Sequence, residues 1–263
     1  AAIDGAVKTG DSAILTAKHD ATIGGAVTAG GDFSADTGND LTVNGAVTAD
    51  KNLTLHTGND LTLNGAALSH GMMEIDAGHD AKFNGSLTSD KNLAITAKNS
   101  IVTKEGSDLY TQEDGYLKAH TAALGGNVKA DGTLTIETDE TLSVKNVTAG
   151  KAATLKAGTD LKAANVTAGE AATLNAGKEL NAQNVKSDKG TATLTAGTKL
   201  TAQNVTAKVD AVLHAGTDLK ALNVTTGKNV ALTAEKSIAV HDVTAGGNVS
   251  LTAGHDAAID GAV

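Results

Sequence analysis

The stretch VNGAVTADKNLTLHTGNDLTL, residues 43–63, continues as LNGAALSHGMMEIDAGHDAKF, residues 63–83, in which the same residue types return in the same order. Apolar residues recur there at steps of 2, 6, 2, 4 and 6, which gives a repeat of 20 residues: Leu53, Leu55, Leu61, Leu63, Ala67 and Met73. Two apolar residues separated by one residue place both side chains on one face of an extended strand. The stretch therefore predicts short strands joined by turns.

The second half of the chain carries a shortened form of this repeat, for example LSVKNVTAGKAATLKAGTDLKA at residues 142–163. Every step is kept except one, where 4 becomes 3, so the repeat falls to 19 residues. The missing residue belongs to one corner, because Asn64-Gly65-Ala66 is replaced there by Lys145-Asn146 or Ala164-Asn165. About 13 such units fill the chain from Val7 to Val263.

Three strands and three corners per unit make one coil, and stacking of coils places each residue beside the one 19 or 20 positions later. Backbone hydrogen bonds then run between coils, and every apolar position forms a ladder. Corners such as Gly58-Asn59-Asp60 carry turn residues, and we expect their glycines to take positive φ. An α-solenoid needs apolar steps of 3 and 4, and a propeller blade needs ~40 residues, so both fit less well.

We predict one continuous solenoid segment over residues 1–263, with three stretches that differ in repeat length. Residues 1–100 form twenty-residue coils, residues 101–127 form an irregular coil with a bulge, and residues 128–263 form mainly nineteen-residue coils.

The composition suits a core of small side chains in regular ladders. Aromatic residues make up 2% of the chain, and Pro, Cys, Trp and Arg are absent. The net charge of -9 argues against a nucleic-acid partner, and no apolar run approaches the ~18 residues of a membrane span. We therefore expect no nucleic acid and no membrane insertion. The start AAIDGAVKTGD lacks the features of a signal peptide, so we expect any export signal to lie outside this sequence.

The run NLTLHTGNDLTLNGA at residues 52–66 and the recurring AGxDL resemble the haemagglutinin repeats of filamentous haemagglutinin-type exoproteins. That family includes adhesins and contact-dependent growth inhibition effectors secreted by two-partner systems. The resemblance implies export through an outer-membrane transporter and an extracellular filament, secreted or on the bacterial cell surface. Together with the repeat, it predicts an all-β fold: a right-handed parallel β-helix (β-solenoid) of about 13 coils of 19–20 residues, with three short strands per coil.

Two turn patterns are candidates for metal or acid–base chemistry. His19-Asp20, His79-Asp80 and His255-Asp256 occupy a position filled elsewhere by Asn-Asp, Thr-Asp or Lys-Glu, which favours a plain turn. A column of aspartates could hold Ca²⁺, but it later includes Glu179 and Lys199: Asp20, Asp40, Asp60 and Asp80. The sequence therefore predicts no metal, no cofactor and no catalytic residue.

Asparagines at one corner are expected to form stacked amide ladders along the axis. They are Asn44, Asn64 and Asn84 in the longer repeat and Asn146, Asn165, Asn184, Asn204 and Asn223 in the shorter one.

The irregular stretch TKEGSDLYTQEDGY, residues 103–116, is the candidate site for contact with a partner. Thr103 and Leu109 are 6 residues apart where 4 or 3 is usual, so one coil should bulge there. Exposed tyrosines and acids on a rigid scaffold often take part in binding, although a tolerated insertion also explains the stretch. The predicted contact residues are Tyr110, Glu113, Asp114 and Tyr116.

The leading functional interpretation is a rigid shaft that holds an adhesive or toxic tip away from the cell. Its expected partners are the flanking coils of the same filament, the transporter during secretion, and a receptor on a host or bacterial cell. A β-helical carbohydrate-active enzyme would need clustered carboxylates, whereas the acids here are dispersed by the repeat. Binding of glycan or ice through a threonine face is a further alternative, but lysines such as Lys162 interrupt those columns.

Overall fold

The structure is a computed structural model and describes residues 1–262, in which every regular element is a β-strand. The contacts divide the chain into two compact units, Ala1–Gly132 (unit 1) and Thr133–Val263 (unit 2). Val263, the last valine of the predicted ladder, lies outside the described residues.

Unit 1 has three strands in each regular coil, as the spacing of apolar residues predicts. The first strands of the coils are β1 (Ala2–Ile3), β4 (Ala21–Ile23), β7 (Leu41–Val43), β10 (Leu61–Leu63), β13 (Asp80–Phe83) and β16 (Ser100–Thr103). The second strands are β2 (Val7–Thr9), β5 (Val27–Ala29), β8 (Val47–Ala49), β11 (Ala67–Ser69), β14 (Leu87–Ser89) and β17 (Leu109–Thr111). The third strands are β3 (Ala13–Ala17), β6 (Phe33–Thr37), β9 (Leu53–Thr57), β12 (Met73–Ala77), β15 (Leu93–Ala97) and β18 (Gly115–Ala119), and β19 (Thr121–Ala130) ends the unit.

In unit 2 the first two strands of each coil run together into one longer strand. These strands are β21 (Leu142–Ala149), β23 (Leu161–Ala168), β25 (Leu180–Ser187), β27 (Leu200–Ala207), β29 (Asp218–Thr226) and β31 (Ser237–Ala245), followed by β33 (Ala257–Ile259). The third strands are β20 (Leu134–Thr138), β22 (Ala153–Ala157), β24 (Ala172–Ala176), β26 (Ala192–Ala196), β28 (Ala211–Ala215), β30 (Val230–Ala234) and β32 (Val249–Ala253).

Each long strand of unit 2 bends at the position of the shortened corner. Ala163 and Val166 both face the core, whereas Ala164 and Asn165 between them both lie at the surface. Side chains of a straight strand alternate between its faces, so two successive outward residues require a change of direction. Each coil of unit 2 therefore keeps three inward-facing segments although it has lost one residue.

Parallel pairing between coils holds each unit together. In unit 1 Leu41 pairs with Leu61, and such partners are 20 residues apart. In unit 2 Leu142 pairs with Leu161, and the usual separation is 19 residues. Thirteen third strands, one per coil, occur among the described residues. The predicted fold class, a parallel β-solenoid, is confirmed, whereas continuity between the two units stays a prediction.

The core consists of ladders of small and branched apolar side chains. Leu55, Ile75 and Ile95 stack in successive coils of unit 1, and Leu155 and Leu174 do so in unit 2. All five are at most 1% exposed. Burial at about 25 cal/mol per Å² of apolar surface makes these ladders the main stabilising contribution.

The expectation that the corner glycines take positive φ is wrong. Among the described residues only Gly106 has positive φ, at 81°. At most other corners a Cβ would collide with the coil next to it: at Gly78 it would lie 2.0 Å from the carbonyl oxygen of Gly58. Close stacking of coils, and not turn geometry, is therefore what excludes a side chain at these positions.

The described part of the chain has no helix of the length and apolar character needed to cross a membrane.

Candidate functional site

The bulge in the irregular coil is a tight turn at Lys104–Ser107. The backbone N–H of Ser107 donates to the carbonyl of Lys104 at 3.0 Å, and Gly106 supplies the positive φ within the turn. The Ser107 hydroxyl donates to the carbonyl of Asn84 at 2.8 Å, which ties the turn to the preceding coil. The extra residues are thus absorbed locally, and Leu87 pairs with Leu109 across this coil.

Tyr110 faces outward from β17 and is held by the next coil of unit 1. Its hydroxyl donates to Oδ2 of Asp131 at 2.6 Å, and Lys129 Nζ lies 2.9 Å from Oδ1 of the same carboxylate. The Lys129 ammonium also lies 4.7 Å from the centre of the Tyr110 ring, within the range of a cation–π contact. The hydrogen bond from Tyr110 is the main cause that lowers the pKa of Asp131, and the hydrogen bond from Lys129 is the second.

The other three predicted contact residues are not part of the group formed by Tyr110, Lys129 and Asp131. Glu113 and Asp114 are exposed at the corner after β17, where the N–H of Asp114 donates to Oδ1 of Asn92 at 3.1 Å. Tyr116 is 36% exposed and projects from β18, which belongs to the other sheet. The two tyrosines therefore flank a corner without forming one patch, and a role of these four residues in partner contact stays a prediction.

Sequence reasoning missed Lys129 and Asp131 as neighbours of Tyr110. Lys129 pairs directly with Tyr110 in the next coil. The pairing follows once the irregular coil is known to return to the 19-residue register, but the irregular spacing conceals that return in the sequence.

The aspartate column is a hydrogen-bonded ladder. One carboxylate oxygen of each aspartate accepts the backbone N–H of the equivalent residue in the next coil, as Asp40 does from Asp60 at 3.1 Å. At Asp40 and Asp80 the same oxygen also accepts from the asparagine side chain before that residue, as Asp40 does from Asn59 at 2.8 Å. Asn39 donates to Asp20 in the same way, and this bond is the main cause that lowers the pKa of Asp20. At Asp60 the neighbouring side-chain atom is Nδ1 of His79, at 3.0 Å. The turn interpretation accounts for this column.

Within residues 1–262 one group of three side chains has the composition and spacing of a metal site: Asp60, His79 and Asp80. Its members lie in the aspartate column and in the position before it. The residue types found at this position elsewhere in the chain predict only an ordinary turn for His79-Asp80.

The asparagine ladders predicted at the corners are present. Each Nδ2 donates to the Oδ1 of the asparagine in the preceding coil at 2.7 Å, through Asn44, Asn64 and Asn84 in unit 1 and through Asn146, Asn165, Asn184, Asn204 and Asn223 in unit 2. An asparagine inside a ladder, such as Asn64, both donates and accepts, so the side chains add hydrogen bonds between coils to those of the backbone.

Unit 2 also has a polar groove where its long strands bend. The groove has a volume of about 500 Å³, and its polar lining includes Lys145, Lys162, Asn181, Gln183 and Gln203. Ammonium and amide groups from successive coils can donate hydrogen bonds to hydroxyl or carboxylate groups of a ligand.

Comparison with known protein families gives two matches. A model described as hemagglutinin repeat matches residues 42–84, and a second, described as haemagglutinin repeat, matches residues 76–109, 114–220 and 202–260. The residues between the first two segments of the second match belong to the irregular coil. No curated protein and no solved structure matches the chain.

Proposed function

Because the chain belongs to the haemagglutinin repeat family, we propose that it is a rigid structural shaft of a large secreted bacterial surface exoprotein of the adhesin or haemagglutinin type. The shaft spaces a tip or effector from the cell. It stacks on flanking coils of the same filament, and the parent protein passes an outer-membrane transporter during secretion and reaches a receptor on a host or neighbouring bacterial cell.

The observation that carries this proposal is the pairing between coils within each unit. In unit 2 the third strand of each coil, from β20 to β32, pairs in parallel with the third strand of the following coil. The inward side chains of these strands are buried from Ala153 to Ala234. A fold in which each repeat contacts its neighbours through a continuous core and dense hydrogen bonding resists bending. The family is of the structural or adhesin type and occurs in secreted or surface-exposed proteins, which supports an extracellular, non-enzymatic role.

The test lengthens the shaft in cells that display the full-length parent protein. Leu134 pairs through six successive registers up to Val249, so a second copy of residues 134–248 inserted after residue 248 adds six whole coils. The added length is roughly 29 Å at ~4.8 Å per coil. Single-cell force spectroscopy should show adhesion of unchanged strength at a greater separation from the target.

The matched control inserts the same residues in scrambled order, which destroys the registers and should abolish adhesion. A spacer role is contradicted if the six-coil insertion leaves the contact distance unchanged, or if purified residues 1–263 alone bind the target cells as strongly as the parent does.

Carbohydrate binding is a second candidate function, and the polar groove of unit 2 favours it. If it is correct, residues 1–263 should bind immobilised glycans, and Lys162→Ala combined with Gln183→Ala should weaken that binding. Lys156→Ala is the control, because Lys156 is exposed on β22 and is not among the groove residues. Absence of binding on a broad glycan array would reject this candidate.

A further inference from the structure

One histidine of unit 1 lies between carboxylates of two successive coils. Nδ1 of His79 is 3.0 Å from Oδ1 of Asp60 and 3.3 Å from Oδ2 of Asp80. His56 and His70 each have one aspartate partner, Asp76 and Asp90. Two carboxylates therefore converge on one imidazole nitrogen at His79.

These distances fit the geometry of a zinc site. Zinc binds imidazole nitrogen and carboxylate oxygen at about 2.0–2.2 Å, so two ligand atoms of a tetrahedral site lie roughly 3.3 Å apart. The separations of Nδ1 from the two oxygens already have this size. All three ligand atoms lie within 4.8 Å of one another, so small rotations of these partly exposed side chains can bring them onto one ion.

The next coil fixes the Asp80 carboxylate. Its Oδ1 accepts the side chain of Asn99 at 2.7 Å, the hydroxyl of Ser100 at 2.7 Å and the N–H of Ser100 at 3.0 Å. Oδ2 is the oxygen that faces His79. Groups that orient a ligand from outside the metal shell are typical of metal sites.

We propose that Asp60, His79 and Asp80 form a binding site for a divalent transition metal, with zinc as the preferred ion, that links two successive coils of unit 1. His79 binds the ion through Nδ1 and keeps its ring proton on Nε2, so zinc takes the place of the hydrogen bond between Nδ1 and Oδ1 of Asp60. The two aspartates supply one oxygen each, and water completes the tetrahedron. The nitrogen ligand distinguishes this site from a calcium site, which is built from oxygen atoms. The proposal is independent of the function of the shaft.

The test uses residues 1–263 without a polyhistidine tag, titrated with ZnCl₂ in a calorimeter and with CoCl₂ as a spectroscopic probe. His79→Asn is the main variant, because Asn59 at the equivalent position donates to the aspartate column and so shows that asparagine preserves the ladder. We expect saturable zinc binding, a tetrahedral Co²⁺ absorption band, and an affinity at least tenfold lower in His79→Asn. CaCl₂ should not compete.

His255→Asn is the matched control. His255 also precedes an aspartate at a corner, and its backbone N–H donates to the carbonyl of Lys236 as that of His79 donates to Asn59. The next residue of the preceding coil is Ser237, however, where the zinc site has the carboxylate of Asp60. This variant should bind zinc as the unmodified chain does. Zinc should also raise the unfolding temperature of the unmodified chain and leave that of His79→Asn unchanged. No saturable binding by the unmodified chain, or equal affinity in His79→Asn, would overturn the proposal.

Discussion

At the scale of single residues, the space between adjacent coils determines which residue can occupy a corner. The carbonyl oxygen of one glycine occupies the space that a Cβ of the next glycine would need, as between Gly158 and Gly177 at 1.9 Å. Sequence reasoning identified these residues as turn glycines but gave the wrong cause, because the distance between stacked coils is a property of the assembled fold.

Gly177→Ala should lower the free energy of unfolding by about 1–3 kcal/mol, since the new methyl group must push two coils apart. Gly10→Ala is the control, because a Cβ there meets nothing within 4 Å. Urea denaturation of both variants measures the difference. Equal stability of the two variants would show that stacking does not restrict this corner.

Asn184→Asp tests the amide ladder of unit 2. Asn184 donates to Asn165 and accepts from Asn204, both at 2.7 Å, and aspartate keeps the acceptor but sets an oxygen against the Asn165 carbonyl oxygen. We expect a loss of about 1–2 kcal/mol at neutral pH, measured by urea denaturation.

Part of this loss should be recovered in acid, where the introduced carboxyl group becomes protonated and can donate to Asn165 again. Asn175→Asp, at an exposed position of β24, should change stability little at either pH. A loss as large in that control would point to added negative charge instead of the ladder.

At the scale of elements, the irregular coil shows how a solenoid accommodates extra residues. The spacing of Thr103 and Leu109 marked the bulge in the sequence, and the structure has a tight turn there that leaves Leu87 paired with Leu109. The contact of Tyr110 with Asp131 was not predictable, because it depends on how the coil returns to register after the bulge.

Tyr110→Phe should raise the pKa of Asp131 towards its ordinary value, because the tyrosine hydrogen bond is the largest cause that lowers it. A lowered pKa in the folded state means that the bond stabilises the fold above the ordinary pKa of the carboxyl, about 3.9, and that this contribution is lost as the pH falls through the lowered value. Titration of the carboxyl by ¹³C NMR measures the shift. Tyr116→Phe, on the other sheet, should leave the Asp131 titration unchanged.

At the scale of the whole molecule, the apolar steps were enough to predict the coils, and the match to haemagglutinin repeats confirms the resemblance. Residues such as Leu155 and Leu174 have the same spacing in sequence and in the core, so periodicity alone places them. The candidate sites were less predictable. The groove of unit 2 and the convergence on His79 both depend on side chains from different coils, whose directions the periodicity does not give.

Deletion of residues 153–171, one whole coil of unit 2, should preserve the fold, because Ala172 then takes the place of Ala153 beside Leu134. We expect an unchanged β-sheet circular dichroism signal per residue and a cooperative melt. Deletion of residues 153–162 should instead destabilise unit 2 strongly, since it joins unlike parts of the repeat. If the two deletions unfold alike, whole coils are not the structural unit.

Coils of 19 and 20 residues stack on one another in unit 2, because the corner between Ser187 and Ala192 takes one extra residue while Leu174 still pairs with both Leu155 and Leu194. At the level of the gene, an unequal crossover between neighbouring repeats therefore needs no strict length to leave a foldable product. Alleles of the parent gene should differ by whole repeats far more often than by fractions of one, so that natural selection can vary the reach of the protein in small, evenly sized increments.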